Sequence, residues 1–359
     1  MGSLIINQRT YSFTVIQNTY IQVEESYFQK AIDFCREWLL GVQHFELQTS
    51  GSTGKPKKIL VSRAQMEASA RGTGDFFEIQ KGASLLCCLN IEMIAGKMML
   101  VRALEWGADV YVVNPSGNPL ENNNEGIHFD FAAMVPLQLE TIMNHEESQA
   151  KLLGIKNLII GGAPMNESLR KKALTFPISI YQTFGMTETV SHVALAKVNH
   201  LQTPVYKALP GVKFSQTEDR RLVITSPMGS GNRLETQDIV ELLSEKEFIW
   251  KGRADFTINS GGVKIHPEEI ENQILPIFEK KFSGKNYFIF GLPDDKLGQK
   301  VCLLIEIGQV DENQARDLQM QIRARVSKYA VPKEVFFLEQ FEVTASGKIN
   351  RRATIERLE

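Results

Sequence analysis

The sequence predicts an α/β fold: a large N-terminal domain of sheets layered with helices, followed by a small α+β domain. Two patterns carry this expectation. Short apolar runs end repeatedly in small or polar residues: NLII (Asn157 to Ile160) runs into GGAP, ISIY (Ile178 to Tyr181) into QTFGMTE, and LVIT (Leu222 to Thr225) into SPMGSG. Such runs suit buried strands, and longer amphipathic stretches such as Arg63 to Phe77 suit helices packed on a sheet. After about Gly252 charge becomes denser and the pattern turns to a compact α+β unit. Strands are expected there at NYFIF (Asn286 to Phe290), VCLLIEI (Val301 to Ile307) and EVFFL (Glu334 to Leu338), with a helix over Glu312 to Lys328. The expected division is 1–253 and 254–359.

A chain of 359 residues can bury a substantial core. Its net charge of −2 argues against a general nucleic-acid binder, so local clusters must hold any anionic ligand. Cys35, Cys87, Cys88 and Cys302 form neither a CxxC pair nor a metal-ligand spacing, and read as buried reduced thiols. The N-terminus, MGSLIINQRTYSF, lacks the apolar core of a signal peptide, and no apolar run is long enough to span a bilayer; a cytoplasmic protein is expected.

The first chemistry-bearing stretch is QTSGSTGKPKK, Gln48 to Lys58. Its glycine spacing and Pro56 exclude the GxxxxGK[ST] loop that opens a helix in hydrolytic phosphate-binding folds. What remains is a turn rich in hydroxyls and lysines without an acid, which reads either as a surface loop or as a polyphosphate grip.

The segments TSGSTGKPKK, GGAPM (Gly161 to Met165), YQTFGMTET (Tyr181 to Thr189), TQD (Thr236 to Asp238), KGRADFTINSGGVKIHPEEIEN (Lys251 to Asn272) and TASGKINR (Thr344 to Arg351) follow one another in the chain. In this order they resemble the motifs of the AMP-forming acyl-CoA synthetases, or adenylate-forming ligases. The resemblance implies a role for each segment. Thr49, Ser50, Gly51, Ser52, Thr53, Gly54 and Lys57 would hold ATP phosphates. Gly161, Gly162, Ala163 and Pro164 would form the adenine turn, with Gly185 beside it and Phe184 stacked on the base. Thr187 and Glu188 would bind Mg2+ as a catalytic pair, oxygen ligands suiting a hard cation. Asp238 and Arg253 would bind the ribose, although Gln237 replaces the family's glycine. Asp255 would be the hinge of a mobile C-terminal domain, Lys348 the catalytic lysine, and Gly261 and Gly262 would line a tunnel for the thiol arm of CoA. ATP and CoA would be substrates. Taken singly, these segments also have plainer readings: a packed Gly-Gly turn, a helix cap at Thr-Glu, a solvated lysine.

The acid is less legible. The phosphate loop begins at residue 49, earlier than in longer family members. That compact form, and the run LLCCLNIEMIAGKMMLVRALEWGADV (Leu85 to Val110), look most like the short o-succinylbenzoate-CoA ligases of menaquinone biosynthesis. Met93 stands where many relatives carry a histidine. By the same resemblance Arg102 lies near the distal carboxylate of the acid, with Lys97 and His192 as further acid-binding candidates. For these three, solvent-facing helix charges and a structural histidine remain the alternatives. The expected enzyme is thus an ATP-dependent acid-CoA ligase. An adenylating enzyme for another acid or a carrier-protein acceptor, and a non-catalytic acyl- or nucleotide-binding protein, stand as alternatives. No nucleic-acid partner is expected, and a monomer or a homodimer is equally compatible.

Overall fold

The structure, a computed structural model, describes residues 2–48, 58–121, 126, 128–198, 203–229, 233–308, 312–343 and 349–358. Its backbone is organised by a 13-stranded sheet. In the centre, the strands Asp109–Val112, Ser84–Cys87, Phe129–Met134, Ile155–Ile160 and Ser179–Gly185 run parallel side by side. The apolar run Asn157 to Ile160 lies within the fourth of these and Ile178 to Tyr181 overlaps the fifth, while Leu222 to Thr225 falls in an antiparallel strand further along the sheet. Along Phe129–Met134, Phe131 and Ala133 point into one core; Phe129, Ala132 and Met134 point into the other.

Helices Ser26–Leu39, Arg63–Phe77 and Ile94–Trp106 fill the first face, and Pro136–Met143, Glu146–Leu152 and Glu167–Ala173 the second. Arg63–Phe77 forms where the amphipathic pattern placed it. It is started by a capping box between Ser62 and Gln65 and stopped by Glu78 in a left-handed conformation. Ile94–Trp106 ends at Gly107, at φ +60°, and near its start Gly96 packs so tightly that a Cβ would meet the Asn90 carbonyl oxygen at 2.4 Å.

Beyond Ser179–Gly185 the sheet becomes antiparallel, in the order His192–Lys197, Val205–Ala208, Glu247–Arg253, Arg233–Ser244, Arg221–Thr225 and Lys213–Gln216. A separate ribbon, His44–Gln48 paired with Lys58–Ser62, brackets residues 49–57. Sheet membership switches between Arg253 and Ile258, across the short turn Ala254–Phe256. From there Ile258–Ser260, Val263–Ile265, Tyr287–Asp294, Gly298–Glu306 and Glu334–Leu338 build a five-stranded sheet. Its three long strands overlap those expected from sequence: Glu334–Leu338 matches in both bounds, whereas Asn286 and Ile307 fall just outside the other two. The helix between the last two is Glu312–Arg323, shorter than expected at its C-terminal end. All four cysteines are buried free thiols. Among the described residues no helix is long and apolar enough to cross a membrane.

Candidate active site

In a parallel sheet ligands gather at the carboxyl ends of the strands, and two of the singled-out loops leave the sheet there. Ile155–Ile160 delivers Gly161, whose N–H donates to the Met134 carbonyl at 3.0 Å and whose Cβ, if it had one, would lie 2.6 Å from Thr183 Oγ1. Gly162 follows at φ +83° and is exposed, as is Pro164, while Ala163 is half-buried. The neighbouring strand Ser179–Gly185 delivers Phe184, half-buried, its ring edge-on to Tyr206 and Phe248 at centroid distances of 5.7 and 5.1 Å. Gly185 is needed for its lack of a side chain: a Cβ would sit 2.3 Å from the Ser191 carbonyl oxygen.

That contact arises because the chain doubles back through the turn Thr187–Thr189 and a three-residue turn centred on Val190. Val190 adopts φ +65° and ψ −51°, and the Ser191 N–H reaches the Thr189 carbonyl at 2.6 Å. This conformation is costly for a β-branched residue and fixes Glu188 relative to Ser191 and His192. Glu188 is exposed, Thr187 half-buried, and among the described residues no ion pair engages the Glu188 carboxylate. No cluster of three or more His, Cys, Asp or Glu exists among those residues. One carboxylate and one hydroxyl therefore fit an ion that takes its remaining oxygens from phosphate and water, as magnesium does.

A second group forms where Arg233–Ser244 pairs with Glu247–Arg253, with Asp238 opposite Arg253. Asp238 is buried, and the Trp250 indole N–H donates to its Oδ1 at 2.8 Å. Burial pushes the carboxyl up, and the Trp250 hydrogen bond and the Arg253 charge oppose that. Arg253 spans Asp255 with a fork of 2.9 and 3.0 Å. Burial opposes ionisation of Asp255, yet the fork holds it below the ordinary carboxylate range. Gln237 is exposed within the extended strand and is not among the positive-φ residues, so this structure demands no glycine there. Next to this group Gly252, at φ +152°, leaves room for Glu268, whose burial pushes its carboxyl up to about 7.

The third group is Arg102. It is 2% exposed, although it stands in the middle of a helix, and burial lowers the guanidinium to about 10. Its Nη2 donates to Ser191 Oγ at 3.3 Å, Nη1 lies 3.5 Å from Met99 Sδ, and Nε is buried with no partner. The guanidinium carbon lies 5.6 Å from the Phe131 ring centroid. No carboxylate among the described residues pairs with it. His192, also buried, shares Ser191 with Arg102, so two of the three acid-binding candidates come together. Lys97 does not join them. It lies over Phe34, at 5.9 Å, in the field of Glu37, Glu92 and Glu46.

Gly261 and Gly262 form the exposed turn between Ile258–Ser260 and Val263–Ile265, at φ +59° and +79°. The phosphate-loop candidates Thr49, Ser50, Gly51, Ser52, Thr53, Gly54 and Lys57, and the catalytic candidate Lys348, lie outside the described residues. Ser191, Thr73, Trp250 and Glu268 went unnoticed in the sequence. Only the paired hydroxyls Ser69 and Thr73, one helical turn apart on a buried face, left a readable signal.

Residues 47–222 match the family model described as AMP-binding enzyme, and residues 285–348 match the AMP-binding enzyme C-terminal domain. A solved structure from Dyadobacter fermentans, described as an acyl-CoA synthetase (AMP-forming)/AMP-acid ligase II-like protein, is 39% identical. It covers 97% of this chain and 99% of its own, with a TM-score of 0.66. The Bacillus subtilis o-succinylbenzoate coenzyme A synthetase in complex with ATP and magnesium is 21% identical, covering 86% of this chain and 69% of its own at a TM-score of 0.70; it shares the fold. A 2-succinylbenzoate-CoA ligase of Bacillus cereus is 24% identical over 95% of this chain and 74% of its own. With that 39% identity maintained over nearly its whole length, the chain belongs to the AMP-binding enzyme family of AMP-forming ligases.

Proposed function

We propose that the protein is an ATP-dependent acid-CoA ligase acting on a dicarboxylic acid of the o-succinylbenzoate type. A carboxylate is a poor electrophile, because its charge repels nucleophiles and its oxygens leave badly. Attack of the carboxylate oxygen on the α-phosphorus of ATP expels pyrophosphate and gives an acyl-adenylate. The CoA thiol then attacks the acyl carbon and AMP leaves. The chain needs no nucleophile of its own for this; it needs positioning and charge neutralisation.

In this reading Asp238 and Arg253 hold the ribose, Gly161 to Pro164 and Phe184 hold the adenine, and residues 49–57 hold the phosphates. Thr187 and Glu188 would hold magnesium, which supplies neutralisation of phosphate charge. Lys348 would bridge the acid and the phosphate, and residues 254–359 would turn about Asp255 to bring Gly261 and Gly262 to the thiol arm. Lys348→Ala is expected to block adenylate formation while sparing thioester formation from supplied acyl-adenylate.

The observation that carries the acid assignment is Arg102: a buried guanidinium, with one partnerless nitrogen and no carboxylate beside it, calls for an anion from outside. The Bacillus relatives named for 2-succinylbenzoate support a diacid. The test is thioester formation with o-succinylbenzoate against 3-benzoylpropionate, the same skeleton without the ring carboxylate. The diacid should be strongly preferred, and equal use of both would refute the assignment.

A further inference from the structure

The Arg102 guanidinium stands at one end of a hydrogen-bond chain whose direction can be read from the other end. Thr73 Oγ1 lies 2.9 Å from the Ser69 carbonyl oxygen, which can only accept, so the Thr73 proton is committed there. Thr73 Oγ1 also lies 3.2 Å from His192 Nε2. With no proton left to give, the hydroxyl accepts, and Nε2 carries the imidazole hydrogen. His192 is neutral, since burial and the nearby Arg102 charge push its pKa well below the ordinary histidine value. Nδ1 is therefore bare, and Ser191 Oγ, 3.3 Å away, donates to it. The Ser191 proton thus points at the imidazole and its lone pair faces Arg102 Nη2, also at 3.3 Å. One polarity runs through helix Arg63–Phe77, strand His192–Lys197 and helix Ile94–Trp106.

We propose that His192 and Thr73 are positioning residues for acid selection: together they turn Ser191 so that its lone pair, and not its proton, meets Arg102, and thereby aim the guanidinium at the second anionic group of the acid. The proposal rests on the reading of Arg102 as the partner of that group. Both ring nitrogens are engaged, so His192 is no general base, and its role is exerted through Ser191 and Arg102. Thr73→Val keeps the shape of the side chain and removes the acceptor for Nε2–H. His192 then loses the bond that fixes its tautomer, and Ser191 is free to turn its proton toward the cation.

The test compares the full-length wild type, Thr73→Val, Thr73→Ser and Arg102→Met in adenylation of o-succinylbenzoate and of 3-benzoylpropionate. Thr73→Val should raise KM for the diacid roughly five- to tenfold, the worth of one neutral hydrogen bond, with kcat unchanged. KM for the monoacid should not move, and Thr73→Ser, which keeps the hydroxyl, should behave as wild type. An equal rise for both acids, or none for either, overturns the relay. A wild-type preference for the diacid that Arg102→Met abolishes and Thr73→Val leaves untouched overturns the relay alone. If wild type and Arg102→Met treat both acids alike, the reading of Arg102 falls and the relay with it. In the unmutated protein labelled with 15N-histidine, with His192 assigned by loss of its signal in His192→Gln, the ring should show a protonated Nε2 and a bare Nδ1. The opposite tautomer overturns the proposal whether or not the variants fold.

Discussion

Replacing Arg102 with methionine separates a binding role from a structural one, because the two roles predict opposite signs. The depression of the guanidinium from 12.5 to about 10 corresponds to about 3 kcal/mol held against burial. Since 10 is still well above neutral pH, the group stays charged and the ligand-free protein bears that cost. Its contacts with Phe131 and Ser191 return about 1–2 kcal/mol. Methionine fills similar volume beside Met99 without a charge, so Arg102→Met should leave the ligand-free protein as stable as wild type or about 1–2 kcal/mol more stable. Diacid affinity should move the other way. Loss of a charge-assisted hydrogen bond, about 1.5–3 kcal/mol, raises KM roughly 10- to 150-fold. Urea denaturation without ligands and pyrophosphate exchange with varied acid read the two quantities. A variant destabilised by more than about 2 kcal/mol with an unchanged KM would refute the argument and make Arg102 a structural residue.

Trp250→Phe removes the indole donor to Asp238 Oδ1; it should raise KM for ATP roughly fivefold, and the effect should vanish with 2′,3′-dideoxy-ATP if Asp238 holds the ribose. Glu268 has its carboxyl raised to about 7 from the ordinary 4.5, so its ionisation opposes the folded arrangement. The penalty begins as pH rises past 4.5 and is complete above about 7, amounting to about 3 kcal/mol. Glu268→Gln should flatten the fall in melting temperature across that window, and an unchanged pH profile would count against a buried neutral acid. Gly185→Ala sets a Cβ 2.3 Å from the Ser191 carbonyl oxygen, and should destabilise by about 1–3 kcal/mol in denaturation.

In the parallel centre Ile155–Ile160 was legible because it ends in an apolar run, Leu158 to Ile160, buried on both faces, whereas Ser179–Gly185 is mostly half-buried and carries Gln182 and Thr183. The antiparallel wing was less so: Arg233–Ser244 alternates exposed and buried positions, and its pairing with Glu247–Arg253 depends on a turn rather than on an apolar run. Helix Ile94–Trp106 shows why the acid-binding candidates resisted reading. It is apolar around most of its circumference, so its sequence indicates no outward face on which to place a charge. Lys97 and Arg102, five residues apart, stand about 140° apart around the helix axis. One meets acidic side chains near helix Ser26–Leu39, and the other is driven into the core. The motif residues were proposed from their type and order. Their supports were not, because Thr73 and Trp250 act on residues that reach them only after folding, across 119 and 12 positions of chain.

The central claim is that this chain activates a carboxylate by adenylation and then makes a CoA thioester. Exchange of labelled pyrophosphate into ATP over a panel of carboxylic acids, followed by CoA addition and detection of the thioester, tests it most directly. The account predicts exchange that requires a diacid of the o-succinylbenzoate type and a thioester once CoA is present. Absence of exchange with every acid would contradict it.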